Sequence, residues 1–466
     1  MAANGGEGID LSDSVPCMRR RKLKLWHIGV GLLCLAVAGL LIMRWHWRAK
    51  FLRRIAAIRA AGFPVTAKEL DAWYPWPPSG QNAAYWITGA AALHHKLRQE
   101  YSRRLEQICN RSGARPDPNQ PIPEDLGDML EQYVRENTKA LEMLHGATSV
   151  PECRYPIDLS QGMFVAMPHI ANVREDCLLL CAEAVVCAER GDPNGATRSL
   201  EVALCVACSL DHEPILLSHL VQMSTVGWTT AALEWALNAV PFTEEQLARL
   251  NRAFSSIHAN EGLSRALAGD RCLSLVAFDE PQIVSRQQRF PKPPPAALMG
   301  LYGTVGLAAR EGTIFLDHME ECLQIAQLPA SQRPPAIRAQ EARYGHSRKG
   351  LLWKEVDARS IPTMMGHELK RVAQLEVAKT LVAVERHRLA HTSLPETLGQ
   401  LVPDYLAEVP VDPFDGRPLR YRRTDQGFVV YSVGEDSKDD GGEQEPPTET
   451  KRPDETWDLV FRIERR

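Results

Sequence analysis

Residues 176–210 read DCLLLCAEAVVCAERGDPNGATRSLEVALCVACSL, and this stretch decides the fold class. Cys177, Leu180, Cys181, Ala184, Val185 and Ala188 recur at helical spacing, and so do Leu200, Ala203, Leu204, Ala207 and Leu210. Between the two stripes lies Gly191-Asp192-Pro193-Asn194-Gly195, a run of turn formers. Two apolar stripes of helical period joined by so short a turn predict an antiparallel helix pair, each helix burying one face against the other.

The same period runs outward in both directions. From Asn82 to about Leu328 the pattern is helical, broken at Arg111 to Pro123, Ser149 to Gly162 and Phe290 to Pro295, with no strand-like alternation of useful length. Ile215 to Val240 forms another long apolar stretch, and Thr243-Glu244-Glu245-Gln246 predicts a capped helix start in which the Thr and Gln side chains bond each other's backbone N–H groups. No 34-residue repeat recurs, so the expectation is a helical bundle or irregular helical-hairpin body rather than a tetratricopeptide array. Upstream, Asp71-Ala72-Trp73-Tyr74-Pro75-Trp76-Pro77-Pro78 is too rich in proline for a helix interior and reads as an extended loop packed on the body.

Nearer the N-terminus, Leu25 to Met43 reads LWHIGVGLLCLAVAGLLIM, nineteen residues without a formal charge. At about 1.5 Å per residue they cover roughly 28 Å, the thickness of a bilayer's hydrocarbon core. Arg19, Arg20, Arg21, Lys22 and Lys24 precede the run, and Arg44, Trp45, His46, Trp47 and Arg48 follow it, an interfacial belt of basic and aromatic side chains. No small-x-small cleavage site closes the run, so a retained single-pass anchor through residues 25–43 is expected, with the lipid bilayer as its partner. Phe51 to Ala61 continues it as an amphipathic helix. The flanking charges, five before the run and six between Arg44 and Arg59, do not set orientation.

The whole chain has 466 residues, with 54 Lys plus Arg against 58 Asp plus Glu. That balance provides no basic field for nucleic-acid phosphates, and no nucleic-acid partner is expected. The 11 cysteines are odd in number and scattered, so a disulfide framework is not predicted, and the Cys205-x-x-Cys208 pair sits in a helical apolar pattern without a second pair or zinc-finger histidines. Among the 14 histidines, His212-Glu213 and His367-Glu368 both lack the second histidine of a metalloprotease helix and read as surface or capping pairs. His387 and His391 share a helix face, but no carboxylate joins them by spacing. Gly345 to Gly350 matches neither a nucleophile elbow nor a phosphate loop, and Gly300, Gly303 and Gly306 lack the preceding strand of a dinucleotide fold.

The end of the chain differs in pattern. A helix from Gly366 to Arg388 is followed by Ser393-Leu394-Pro395, by VPVDPFDGRPLRY (409–421), and by three strand-like runs at Leu419-Arg420-Tyr421, Gly427 to Ser432 and Trp457 to Phe461. Residues 431–442 read YSVGEDSKDDGG. In these segments the C-terminal 100 residues or so resemble the globular domain of type II secretion major pseudopilins. There a helix leads through a proline-rich loop and a vP-DP-G-pl-Y segment to strands ending in Y-S-x-G-x-D, beside a calcium-binding loop. The leader, processing glycine and helical glutamate of a pseudopilin are missing, and more than 300 residues separate apolar run and module, so a fibre subunit is not expected. The overall layout is similar to that of single-pass bacterial membrane proteins, a resemblance that implies no particular activity.

The resemblance implies calcium. Asp436 matches the aspartate of Y-S-x-G-x-D, while Asp439 and Asp440 correspond loosely to the later acidic pair, and six to eight oxygens from such a loop would suit the ion. The expected organisation is therefore mainly α: a disordered tail (1–18), an anchor with its juxtamembrane helix (19–61), a helical body (62–335), a connecting segment and long helix (336–392), and a small pseudopilin-like α+β module with an acidic loop (393–466). The expected role is a membrane-anchored, non-enzymatic protein with its bulk outside the cytoplasm, contacting protein partners at the cell envelope. A membrane-bound metal-dependent hydrolase and a helical peptide-binding scaffold are the alternatives.

Overall fold

A computed structural model describes residues 17–94, 105, 108, 117–150, 152–257, 259–286, 294–345, 350–356, 360–443 and 458–464. The tail at 1–16, the Gly345–Gly350 interior and most of the stretch after Glu443 lie outside them. The chain is mainly helical, with one small sheet at its C-terminal end.

Helix α1 (Cys17–Ala60) has two unlike halves. From Trp26 to Ile42 its large apolar side chains stand exposed, and the helix is long and apolar enough to cross a bilayer. From Arg44 onward it packs on the body, where Phe51 is fully buried. It continues without a break into the amphipathic turns expected at 51–61.

After Gly62, Thr66 caps α2 (Ala67–Trp73) by accepting from the Glu69 N–H. Asp71, Ala72 and Trp73 thus end a short helix rather than begin an extended loop: a good cap outweighs the nearby prolines, and the helix stops before Pro75. Tyr74 onward is extended and held to the body by Arg154, whose guanidinium lies 4.6 Å from the Tyr74 ring and 4.4 Å from the Trp76 ring. Helices α3 (Ala84–Leu93), α4 (Glu124–Glu136) and α5 (Thr138–Ala147) follow.

The predicted pair forms as α6 (His169–Glu189) and α7 (Pro193–Cys208), and every residue of both stripes is buried. Its turn is tighter than the sequence suggested, because Asp192 accepts from the Gly195 N–H and Pro193 opens α7. Both pack on α8 (Leu216–Ala239), and the Thr243–Gln246 capping box opens α9 (Glu244–Ser255). Helix α10 (Ala259–Asp279), a turn at Pro281–Arg286, α11 (Ala296–Thr304) and α12 (Leu307–Gln327) complete the part that receives α1. Gly312 allows this, since a Cβ there would meet Phe51 of α1 at 2.6 Å and Phe278 of α10 at 2.9 Å.

Helices α13 (Arg333–Tyr344) and α14 (Leu351–Glu355) lead to α15 (Ile361–His391), five residues longer at its start than its periodicity indicated because Pro362 sits in the first turn. The sheet is antiparallel in the order β1 (Arg420–Arg423), β2 (Gly427–Ser432), β3 (Leu459–Glu464). It packs on α8 and α15, and Phe428, Val430, Leu459 and Phe461 belong to the same apolar core as Leu381 and Val384.

Candidate functional site

The loops around the sheet gather charge. Asp412 is buried and accepts from the Phe414 N–H (3.0 Å), Ser432 Oγ (2.9 Å) and the Val433 N–H (2.9 Å). Burial still pushes its carboxyl above the usual range, against those bonds. Arg420, on β1, donates from Nη1 to Asp412 (3.2 Å) and to Asp415 (3.1 Å), from Nη2 to Asp415, and from Nε to Asp439 (3.4 Å). The guanidinium is thus a cation among three carboxylates, and its bonds hold Asp415 below the ordinary range.

The predicted calcium ligands divide between separate tasks. Asp436 accepts from the Lys438 N–H at 3.1 Å. Asp439 takes Arg420 on one oxygen and the Tyr431 hydroxyl on the other (3.0 Å), and with the Gly441 N–H these outweigh its burial to keep it ionised. Asp440 contributes its backbone N–H to Asp458 at 3.0 Å. Among the described residues no group of three or more His, Cys, Asp or Glu side chains is arranged to hold a metal.

Asp458 is the acidic residue the sequence reading passed over. Its Oδ2 accepts from the Asp440 and Gly442 N–H groups, while its Oδ1 is buried without a hydrogen-bond partner. Burial, reinforced by the charges of Asp440 and Asp439, pushes it up to about 6. Gly442, at φ 73, lies against the Tyr431 ring, where a Cβ would sit 2.9 Å away. Asp458 Oδ1 is therefore a buried carboxylate oxygen with its hydrogen-bonding capacity unused, in a loop that carries further acids.

In both expected surface pairs the histidine, His212 or His367, is exposed as expected, but the acid beside it belongs to the core. Glu213 is buried with His169, 3.0 Å away, and accepts from Ser218, while Tyr155 stacks on the His169 ring at 4.2 Å. Glu368 is buried against Arg333 at 3.2 Å, and Arg333 also donates to the Leu328 and Ala326 carbonyls. Each acid escapes a surface position because a partner distant in sequence satisfies it. His387 and His391 stack at 4.1 Å, with Nδ1 atoms directed at the carbonyls of Ser393 and His387.

Three cavities adjoin these elements. One of 270 Å³ lies where the sheet loop meets the body, lined by Leu220, Met223, His367, Glu368, Arg371 and Glu435. One of 700 Å³ carries Arg198, Arg249 and Arg252, of which Arg249 is paired with Glu201. The third, 510 Å³, is lined by Arg44 and Arg48 of α1 together with α11 and the start of α12. The His169, Glu213 and Ser218 group opens on none of the three. Compared with protein-family models, with curated proteins and with solved structures, the chain finds no match.

Proposed function

We propose that this is a single-pass, membrane-anchored binding protein without enzymatic activity. It holds its helical body at the bilayer and presents the C-terminal loop to a protein partner at the cell envelope. One observation carries the reading: α1 leaves its apolar side chains uncovered from Trp26 to Ile42 and enters the protein core beyond Arg44. Uncovered apolar length of about 25 Å, at about 1.5 Å per residue, is costly in water and stable in lipid. The pseudopilin-like reading of the C-terminal part draws support from its helix, loop and three antiparallel strands.

Calcium belongs to this proposal. Asp458 would supply the free oxygen, with Asp439 and Asp440 beside it and Asp436 at the start of the loop. The ion would offset carboxylate repulsion and fix the loop on β3. Thermal melts of the full chain in detergent with calcium or chelator test it. A calcium-dependent rise in Tm larger at pH 7 than at pH 5, where a proton on Asp458 competes, supports the site, and a Tm indifferent to calcium at both pH values removes it.

The anchor is tested by carbonate extraction of membranes and a C-terminal reporter active only outside the cytoplasm. Retention in the pellet with an active reporter is expected. Release into the supernatant would overturn the anchor, and an inactive reporter would overturn the extracytoplasmic placement.

A further inference from the structure

Helix α11 is apolar on a face that no described residue covers. Residues 293–309 carry no formal charge, yet Leu298 is 46% and Leu301 59% exposed. The opposite side is fixed to the body: Met299 is buried, Gly300 lies against Gln282, and Gly303 against Pro281. The exposed side chains are therefore held outward by a packed helix.

Its position relative to α1 identifies the occupant. Gly306, just beyond α11, has φ +83 and approaches α1 so closely that a Cβ would stand 2.7 Å from Arg44 Cα. Arg44 is the first charge after the uncharged run of α1, so α11 ends at the level where α1 would leave the hydrocarbon. Arg286, Arg289 and Lys292 precede α11 in sequence, the basic flank an anionic lipid surface attracts. Beneath α11, the 510 Å³ cavity is lined by Arg44, Arg48, Asp279 and Glu280. Arg48 pairs with Asp279 at 2.7 Å, whereas Arg44 has no ion pair among the described residues.

We infer that α11 is a second membrane contact: Leu298 and Leu301 enter the interface of the bilayer that holds α1, and the cavity beside Arg44 receives the phosphate of a phospholipid headgroup. Helix α11 is apolar all round, so its exposed leucines are satisfied by lipid at the interface and not by water, and tethering by α1 supplies the proximity that nine residues alone would lack. This rests on reading α1 as the anchor. The consequence is a body fixed in orientation on the membrane rather than swinging on one helix.

The full chain, carrying a benzophenone amino acid at position 33, 301 or 411, is reconstituted in vesicles of phosphatidylcholine and phosphatidylglycerol (4:1), irradiated, and analysed for lipid adducts by mass spectrometry. Position 33, in the exposed half of α1, reports the anchor; position 411, near the sheet, reports background. Adducts at 33 and 301 but not 411, with the 301 yield falling severalfold without phosphatidylglycerol or in Arg44→Gln, are expected. Adducts at 33 alone, or equal yields at 301 and 411, overturn the contact while leaving the anchor in place. No adduct at 33, with the chain released by carbonate, overturns the anchor and this inference with it. A 301 adduct indifferent to both phosphatidylglycerol and Arg44→Gln overturns the headgroup site.

Discussion

Arg420 shows how one side chain can organise a loop region. It spans Asp412, Asp415 and Asp439, so its removal leaves a buried carboxylate facing two more without a counter-charge. Arg420→Ala should cost about 2–3 kcal/mol, with Arg420→Lys recovering part of it by keeping the charge but not the fork. Chemical denaturation of the two variants checks this, and equal stabilities would show that only packing matters. Glu368 provides a pH test. Burial, opposed by Arg333, raises it from an ordinary 4.5 to about 7, so the folded chain binds the proton more tightly than the unfolded chain. The stability this gives is complete below about pH 4.5 and lost as pH rises through 7. Glu368→Gln should therefore flatten the Tm profile between those values and raise Tm at pH 8; parallel profiles would refute the shift. Neither residue was legible beforehand. The motif VPVDPFDGRPLRY contains Asp412, Asp415 and Arg420, but their convergence depends on the antiparallel return of the chain, and the partner of Glu368 lies 35 residues away.

At the scale of elements, the exposed edge of β3 is closed by a helix. Glu234 and Asn238 of α8 accept from the Arg462 and Glu464 N–H groups at 2.8 and 2.7 Å, and Asn238 donates to the Arg462 carbonyl at 2.9 Å. Two side chains one turn apart thus replace a neighbouring strand and remove an edge open to pairing with another chain. Asn238→Leu should leave two half-buried backbone groups unpaired and cost about 1–3 kcal/mol, with faster hydrogen exchange at the Glu464 amide. Unchanged exchange there would mean that the sheet does not need this cap. The elements themselves were readable: the α6–α7 pair from its stripes, α9 from its capping box, the three strands from their β-branched and aromatic runs. Local chemistry specifies local structure. The short α2 was missed because proline content masked the Thr66 cap, and the role of Asn238 is a contact with a residue more than two hundred positions on.

In the whole molecule, the division into body, connecting helix and C-terminal module does not correspond to separate cores. Sequence periodicity shows which residues seek burial but not which faces meet, so the change from helical to strand-like pattern at residue 393 marks where the chain turns to sheet without saying what that sheet packs on. Val430, Phe461 and Ile463 of the sheet join the same buried cluster as Leu233 and Trp235 of α8 and Val377 and Leu381 of α15. Burial of a Phe or Leu side chain stabilises by about 1.5–3 kcal/mol, and a shared cluster makes that contribution conditional on both sides being folded. The body and the sheet should therefore unfold together. Hydrogen exchange of the full chain in detergent across a urea series is expected to show the slowest amides of β2 and of α6 losing protection at one denaturant concentration. Arg420→Ala should shift both transitions downward, although it touches only the sheet region. If β2 exchanged freely while α6 stayed protected, the module would be an autonomous unit docked on the body. The gain in Tm proposed for calcium would then be confined to the module instead of reaching the helices that carry α1.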